Sequence, residues 1–191
     1  MKVELVTVPG ESPVTLAEAK QHCRVDTNAD DALIQTFIDS ATDLAQAELQ
    51  RAIITQTQRV YLDGFDGDEI ELPLPKLQSV SSVKYYDTNG VLQTLSPSAY
   101  FVDSKALVGK VMLASGASWP ATADRPNAVE IEFVCGYGAA AAVPKCVKVG
   151  ILHLVAHCYE HRESVITGTI VSEVPQTFAA ILRPEKIVTF S

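Results

Sequence analysis

Positive charge is in short supply. The chain has 15 Lys and Arg against 23 Asp and Glu, a net charge of -8 over 191 residues, and no Lys/Arg-rich run. A surface of that sign repels nucleic acid as a whole, so a sequence-specific DNA-binding face is excluded and any DNA contact is local and non-specific. Cysteine is sparse as well. Cys23, Cys135, Cys146 and Cys158 include no C-x-x-C pair and no small-domain framework, which fits idle or buried thiols in a reducing compartment. No apolar run approaches the ~20 residues of a membrane span. The segment Met1-Lys2-Val3-Glu4-Leu5 carries an acid and lacks the apolar core of a signal peptide, so the expected location is the cytoplasm where the protein is made. No G-x-S-x-G occurs. Cys23 and Cys158 each follow a His, but helix neighbours point about 100° apart, so neither pair makes a nucleophile with its base. No enzyme emerges, and no cofactor is called for. Repeats and low-complexity tracts are also missing, apart from a short alanine run at 139–142.

What is present is enough apolar material for a core, 47% of residues, in a two-part pattern. Residues 1–14 look extended, with Pro9-Gly10 and Pro13 as breakers. Thr15-Leu16-Ala17-Glu18 reads as a capping box opening a short helix to about Cys23. From Asp30 to Ala52, Leu33, Ile34, Phe37, Ile38, Ala41, Leu44 and Ala45 recur at three- and four-residue steps, a long amphipathic helix with Thr27 or Asn28 as cap. Asp39 and Asp43 fall on its other side, facing water or a partner. From Ile53 the period becomes two. Short strands are expected around 56–62, 69–72, 80–86, 91–95, 100–103, 109–113 and 128–135, with Asp87-Thr88-Asn89-Gly90 as a hairpin turn. Helical spacing resumes at Pro144, where Val147, Ile151, Leu154, Val155 and Cys158 form a second stripe to about Arg162. Residues 176–182 offer a short helix stopped at Arg183-Pro184, and Lys186–Ser191 an extended tail. The expected fold is therefore α+β: a small helical bundle (two long helices plus short ones) made of 1–53 and 136–191, carrying an inserted antiparallel β-rich unit at 54–135.

Two motifs resemble chemistry. His157-Cys158-Tyr159-Glu160-His161 is a literal H-x-x-E-H, and His153 adds an imidazole one turn earlier, so a metal-dependent enzyme using His153, His157 and His161 is the alternative reading. The bland one, a solvated or interface face of a core helix, is preferred because the pattern ends a helix. Gly136-Tyr137-Gly138-Ala139-Ala140-Ala141 fits G-x-G-x-x-A, but Pro144 starts the helix too late for its amides to meet a pyrophosphate, which leaves a strand-to-helix turn. Lys145 and Lys148 sit in the first turn of the second long helix, against its dipole. They are either solvated or meet something acidic, such as a neighbouring subunit's Asp39/Asp43 face or passing DNA. In the C-terminal segment, Phe178, Ile181, Leu182 and Phe190 are apolar beyond Gly168 and Pro175, and are expected to bury on another chain, a neighbouring subunit or a further partner in the assembly, rather than in their own core.

A series of short stretches, in order over about 10 to 165, resembles one family. It includes Thr15-Leu16-Ala17-Glu18-Ala19-Lys20, Arg24-Val25-Asp26, Asp31-Ala32-Leu33-Ile34, Ile54-Thr55-Gln56-Thr57, Leu77-Gln78-Ser79-Val80 and Val83-Lys84-Tyr85-Tyr86-Asp87. Trp119-Pro120, Arg125-Pro126-Asn127-Ala128-Val129, Gly136-Tyr137-Gly138, Val143-Pro144 and Ala156-His157-Cys158-Tyr159-Glu160 follow. The series is similar to the head–tail connector (adaptor) proteins of tailed phages and prophages, often described as DNA-packaging proteins. The resemblance implies a helical adaptor without an active site that assembles as a homo-oligomeric ring of about twelve subunits. It further implies a place in the virion at the head–tail junction, below the portal protein, with a tail-side stopper or tail-completion protein beneath and DNA passing through. The family often has Trp in place of Cys158 and Asn in place of His161, so it needs no imidazole there.

Overall fold

The structure, a computed structural model, describes residues 1–161 and 176–187. It divides into two compact units, one combining Met1–Gly10 with Thr55–Tyr137, the other combining Glu11–Ile54 with the chain from Gly138 onward.

The second unit is helical. α1 (Leu16–Cys23) begins with the capping box read from the sequence: the Glu18 amide donates to Thr15 Oγ1 at 3.1 Å, and the Thr15 amide donates to Glu18 Oε2 at 2.6 Å. α2 (Asp31–Leu49) starts at Asp30, which makes no side-chain cap. Asn28 and Asp31 instead both accept from Lys20 Nζ. α2 ends three residues earlier than its periodicity predicts. Gln50 turns left-handed (φ 54°), its amide and that of Arg51 close the last turn, and Ala52, Ile53 and Ile54 go on to be buried outside the helix. Ile34, Ile38, Ala41, Ala45 and Leu49 form the buried stripe of α2. Leu44, expected in that stripe, is 42% exposed: the step from Ala41 to Ala45 carries the stripe past it. α3 (Lys145–Glu160) follows Pro144 and buries Val147, Gly150, Ile151, Leu154 and Val155. α4 (Gln176–Leu182) packs mainly on α3 and ends in a 3-10 turn at Arg183–Glu185.

The first unit contains two antiparallel sheets. The larger has the strand order β1 (Lys2–Thr7), β2 (Gln56–Leu62), β8 (Val129–Cys135), β4 (Leu77–Tyr86), β5 (Leu92–Thr94). The smaller has the order β3 (Glu69–Glu71), β7 (Lys110–Leu113), β6 (Tyr100–Asp103). The central strand, β8, is the seed of the core, with Val129, Ile131, Phe133 and Cys135 all fully buried on one face. The β4–β5 turn is the expected hairpin. Gly90 takes φ 76° and donates to Asp87, whose carboxylate also accepts from the amides of Asn89 and Val91. One boundary moves. Sequence pattern groups residues 1–53 with the helices, whereas Met1–Gly10 belong to the β unit, because Lys2–Leu5 find their backbone partners on Tyr61–Gln58 of β2. The α+β class holds: the described residues form four helices and two antiparallel sheets.

Candidate functional site: interface surfaces and a histidine face

The tail comes first, because it differs from expectation. Phe178 and Leu182 are 2% and 0% exposed and lie in the same apolar cluster as Ile34, Ile38, Val147 and Ile151. Ile181 is half-buried beside Gly150. Polar contacts secure the return of the chain: Arg51 Nε donates to the Glu185 carbonyl at 2.7 Å, Lys186 pairs with Glu48 at 2.7 Å, and the Ile187 amide donates to the Leu49 carbonyl. These side chains complete their own subunit's core and are not free to bury on a neighbour. The physical reason is that the stripes of α2 and α3 are wider than one mutual contact can cover, and α4 is the nearest apolar surface left in the chain. Phe190, also expected at an interface, lies outside the described residues.

Asp39 and Asp43 do sit on the exposed side of α2, with Gln35 Nε2 donating to Asp39 at 2.9 Å. Lys145 is exposed and Lys148 half-buried at the start of α3. Lys148 is near enough to Glu18 to help lower its carboxyl, after the larger effects of the Thr15 backbone and hydroxyl bonds. Tyr159, from the far end of α3, donates its hydroxyl to Asp30 at 2.7 Å, so the α3 face ends in a fixed contact with the start of α2.

Among the described residues the histidines are not grouped as a metal centre. His153 is exposed and faces His22 edge-on at 5.5 Å. His157 stacks on His161 at 4.6 Å. His161 has left the helix, and its Nδ1 donates to the His157 carbonyl at 3.1 Å, so the three rings share no common centre. His22, Arg24, His153, His157 and Glu160 line an open polar cleft between α1 and α3. Among the described residues no group of three or more His, Cys, Asp or Glu is placed to hold a metal ion. Burial pushes the Cys23 and Cys158 thiols up and that of Cys135 up to about 12, which disfavours the nucleophilic thiolate at these three positions.

Several stretches that carried the sequence resemblance turn out to shape loops. Trp119 stacks on Phe65 at 4.6 Å and donates its indole N–H to the Gly67 carbonyl at 2.7 Å. Arg125 lies 4.1 Å over the Tyr86 ring. Gly136 and Gly138 take φ 121° and 132°, and a Cβ on Gly138 would lie 3.1 Å from that of Ala142. The glycines serve this turn, which reaches α3 seven residues later, and no phosphate-binding helix start lies within it.

Sequence reasoning missed one surface. All six residues of β1 are exposed, including Val3 and Leu5, and β1 forms one edge of the larger sheet. The segment was legible as extended chain; that it ends a sheet was not.

Residues 13–94 match the family model described as "Phage gp6-like head-tail connector protein". No curated protein matches the chain. Solved structures do. A chain in the neck of an empty gene transfer agent (GTA) particle, computed with C6 symmetry, is 23% identical with a TM-score of 0.83, covering 100% of this chain and 98% of that one. A chain in the virion of the native GTA particle is 23% identical with a TM-score of 0.82 at the same coverage. A third, in the native GTA neck computed with C12 symmetry, is 21% identical with a TM-score of 0.79, again over 100% and 98%. Residues 13–94 therefore resemble the phage gp6-like head–tail connector family, and over its whole length the chain has the fold of chains found in GTA particle necks.

Proposed function

We propose that the protein is a structural component of a tailed-phage-like virion, a connector that forms a ring of about twelve copies below the portal and completes the DNA-filled head. The family match over residues 13–94 carries this reading. The C12 and C6 symmetries of the necks that hold chains of this fold support a ring of that size. The surface agrees in character: a net charge of -8 lets DNA slide past rather than hold it. Side chains that could carry chemistry are spent on structure, as with Tyr159 on Asp30 and Trp119 on Gly67. The chain acts as a non-enzyme. Its partners are further copies of itself, the portal and a tail-side stopper or completion protein, with assembly in the host cytoplasm. Within the ring, the exposed Asp39 and Asp43 of one copy face Lys145 and Lys148 of the next, a pairing of opposite charge that sets register more than affinity.

Light scattering on the purified 20.6 kDa chain, alone and with purified portal, tests this. The expected result is a species of about twelve copies, ring-shaped in negative stain, or a monomer that becomes such a ring on portal. A monomer that never binds portal would refute the reading.

A further inference from the structure

Among the described residues the larger sheet has two free edges within one chain. At one end, β1 pairs with β2 on one side only, and no described strand lies on the other. At the other end, β5 covers β4 only at Lys84–Tyr86, and the Leu95 amide takes the Val83 carbonyl. No described strand covers the outer side of β4 from Leu77 to Ser82. An open edge is a row of unpaired amides and carbonyls that templates a further strand. Charge protects these edges unevenly. β1 has Glu4, engaged by the Tyr61 hydroxyl, and Lys2, which lies over the Tyr61 ring, while the open part of β4, Gln78-Ser79-Val80-Ser81-Ser82, has no charged residue. On β1, Val3, Leu5 and Val6 are 37–45% exposed, and Val8 just beyond it is 71% exposed, which leaves apolar side chains on the rim of the sheet.

We infer that β1 of one copy adds to the open edge of β4 in the next, so that the sheets of successive copies run on into one another. This rests on the ring reading above. The strand directions favour it. β1 to β2, β2 to β8 and β8 to β4 are three antiparallel steps, so β1 and β4 of one chain point in opposite directions. A copy related by rotation about an axis along the strands therefore brings its β1 antiparallel to β4, the more stable pairing. The contact is head-to-tail, leaving both edges filled only when the ring closes. The spacing is also compatible. Four strands at about 4.8 Å each occupy ~19 Å of arc per copy, and twelve copies close at a mean radius of ~37 Å, leaving a central passage. A two-fold dimer through β1 alone would instead leave every β4 edge open.

The test is disulfide trapping in the full chain, with Cys23, Cys146 and Cys158 replaced by Ser. Because β4 has register irregularities between Leu77 and Ser79 and between Val80 and Ser82, the junction is scanned. Val3→Cys or Leu5→Cys is combined with Ser79→Cys, Val80→Cys or Ser82→Cys, since residues opposite each other across strands come within near reach of a disulfide. Thermal melting of each reduced variant checks folding. The expected result is that at least one double variant, once oxidised, gives a ladder of linked dimers, trimers and larger species, and no single variant does. In parallel, Val3→Lys with Leu5→Lys, both at exposed positions, should keep the monomer's melting temperature and lose the large species. Dimers from Val3→Cys alone would overturn the proposal in favour of a two-fold contact. Rings visible in negative stain with no trapped pair would overturn it while leaving the ring reading intact. Absence of any oligomer, with or without portal, would overturn both.

Discussion

Replacing Phe178 with alanine should destabilise the helical unit of the isolated subunit before it affects anything else. The side chain is 2% exposed and packs in the cluster formed by α2, α3 and α4, so its loss removes both transfer energy and packing, and leaves a cavity. Buried Phe→Ala changes cost about 3–5 kcal/mol, against a total stability of roughly 5–15 kcal/mol for a domain. Leu182→Ala, at 0% exposure, should cost about 2–5 kcal/mol for the same reason. Gly150 supplies an internal control. A Cβ there would stand 3.0 Å from Leu182 Cδ2, so Gly150→Ala sets a helix-propensity gain of about 1 kcal/mol against a push on α4. With Leu182→Ala that push disappears, and Gly150→Ala should partly rescue the double variant, a coupling readable as a double-mutant cycle. Urea unfolding followed by far-UV circular dichroism reads the helical unit, and the single tryptophan, Trp119, reads the β unit separately by fluorescence. If Phe178→Ala shifts the helical transition by less than ~1 kcal/mol at unchanged slope, and the variant instead fails only to assemble, the docking of α4 on its own core is refuted.

Further outcomes are expected. Thr15→Ala should cost about 0.5–2 kcal/mol through loss of the capping box. The Thr15 backbone amide, then its hydroxyl, holds the Glu18 carboxyl below its ordinary value. Its contribution is thus present in full above the ordinary carboxylate range and fades as pH falls through the lowered value, so wild type and Glu18→Gln should converge in stability in acid. Cys135, pushed up to about 12 by burial, should resist alkylation in the native protein and react once unfolded, as read by mass spectrometry of its peptide. The double variant His157→Ala, His161→Ala should change thermal stability by only about 1 kcal/mol, because both rings are at least partly exposed and make no shared centre. Stoichiometric zinc on the wild type, lost in that variant, would contradict this.

Much of what depends on near neighbours in the chain could be read from sequence. Thr15 and Glu18 cap α1 because they stand three residues apart, and Ile34, Ile38 and Ala41 share a face because the helix repeats every 3.6 residues. Gly90 turns the β4–β5 hairpin because few other residues accept φ 76°. The candidate surfaces were legible to the same extent: the exposure of Asp39 and Asp43 follows from their helix phase. Tertiary structure alone decided which remote segments meet. β1 pairs with a strand more than fifty residues away, and an extended hexapeptide does not reveal whether it will be central, edge or unpaired. The burial of Phe178 and Leu182 turned on an unfilled stripe on α2 and α3. An apolar tail has the same pattern whether its own core or another chain completes it, and only the packed helices show that here the space was at home.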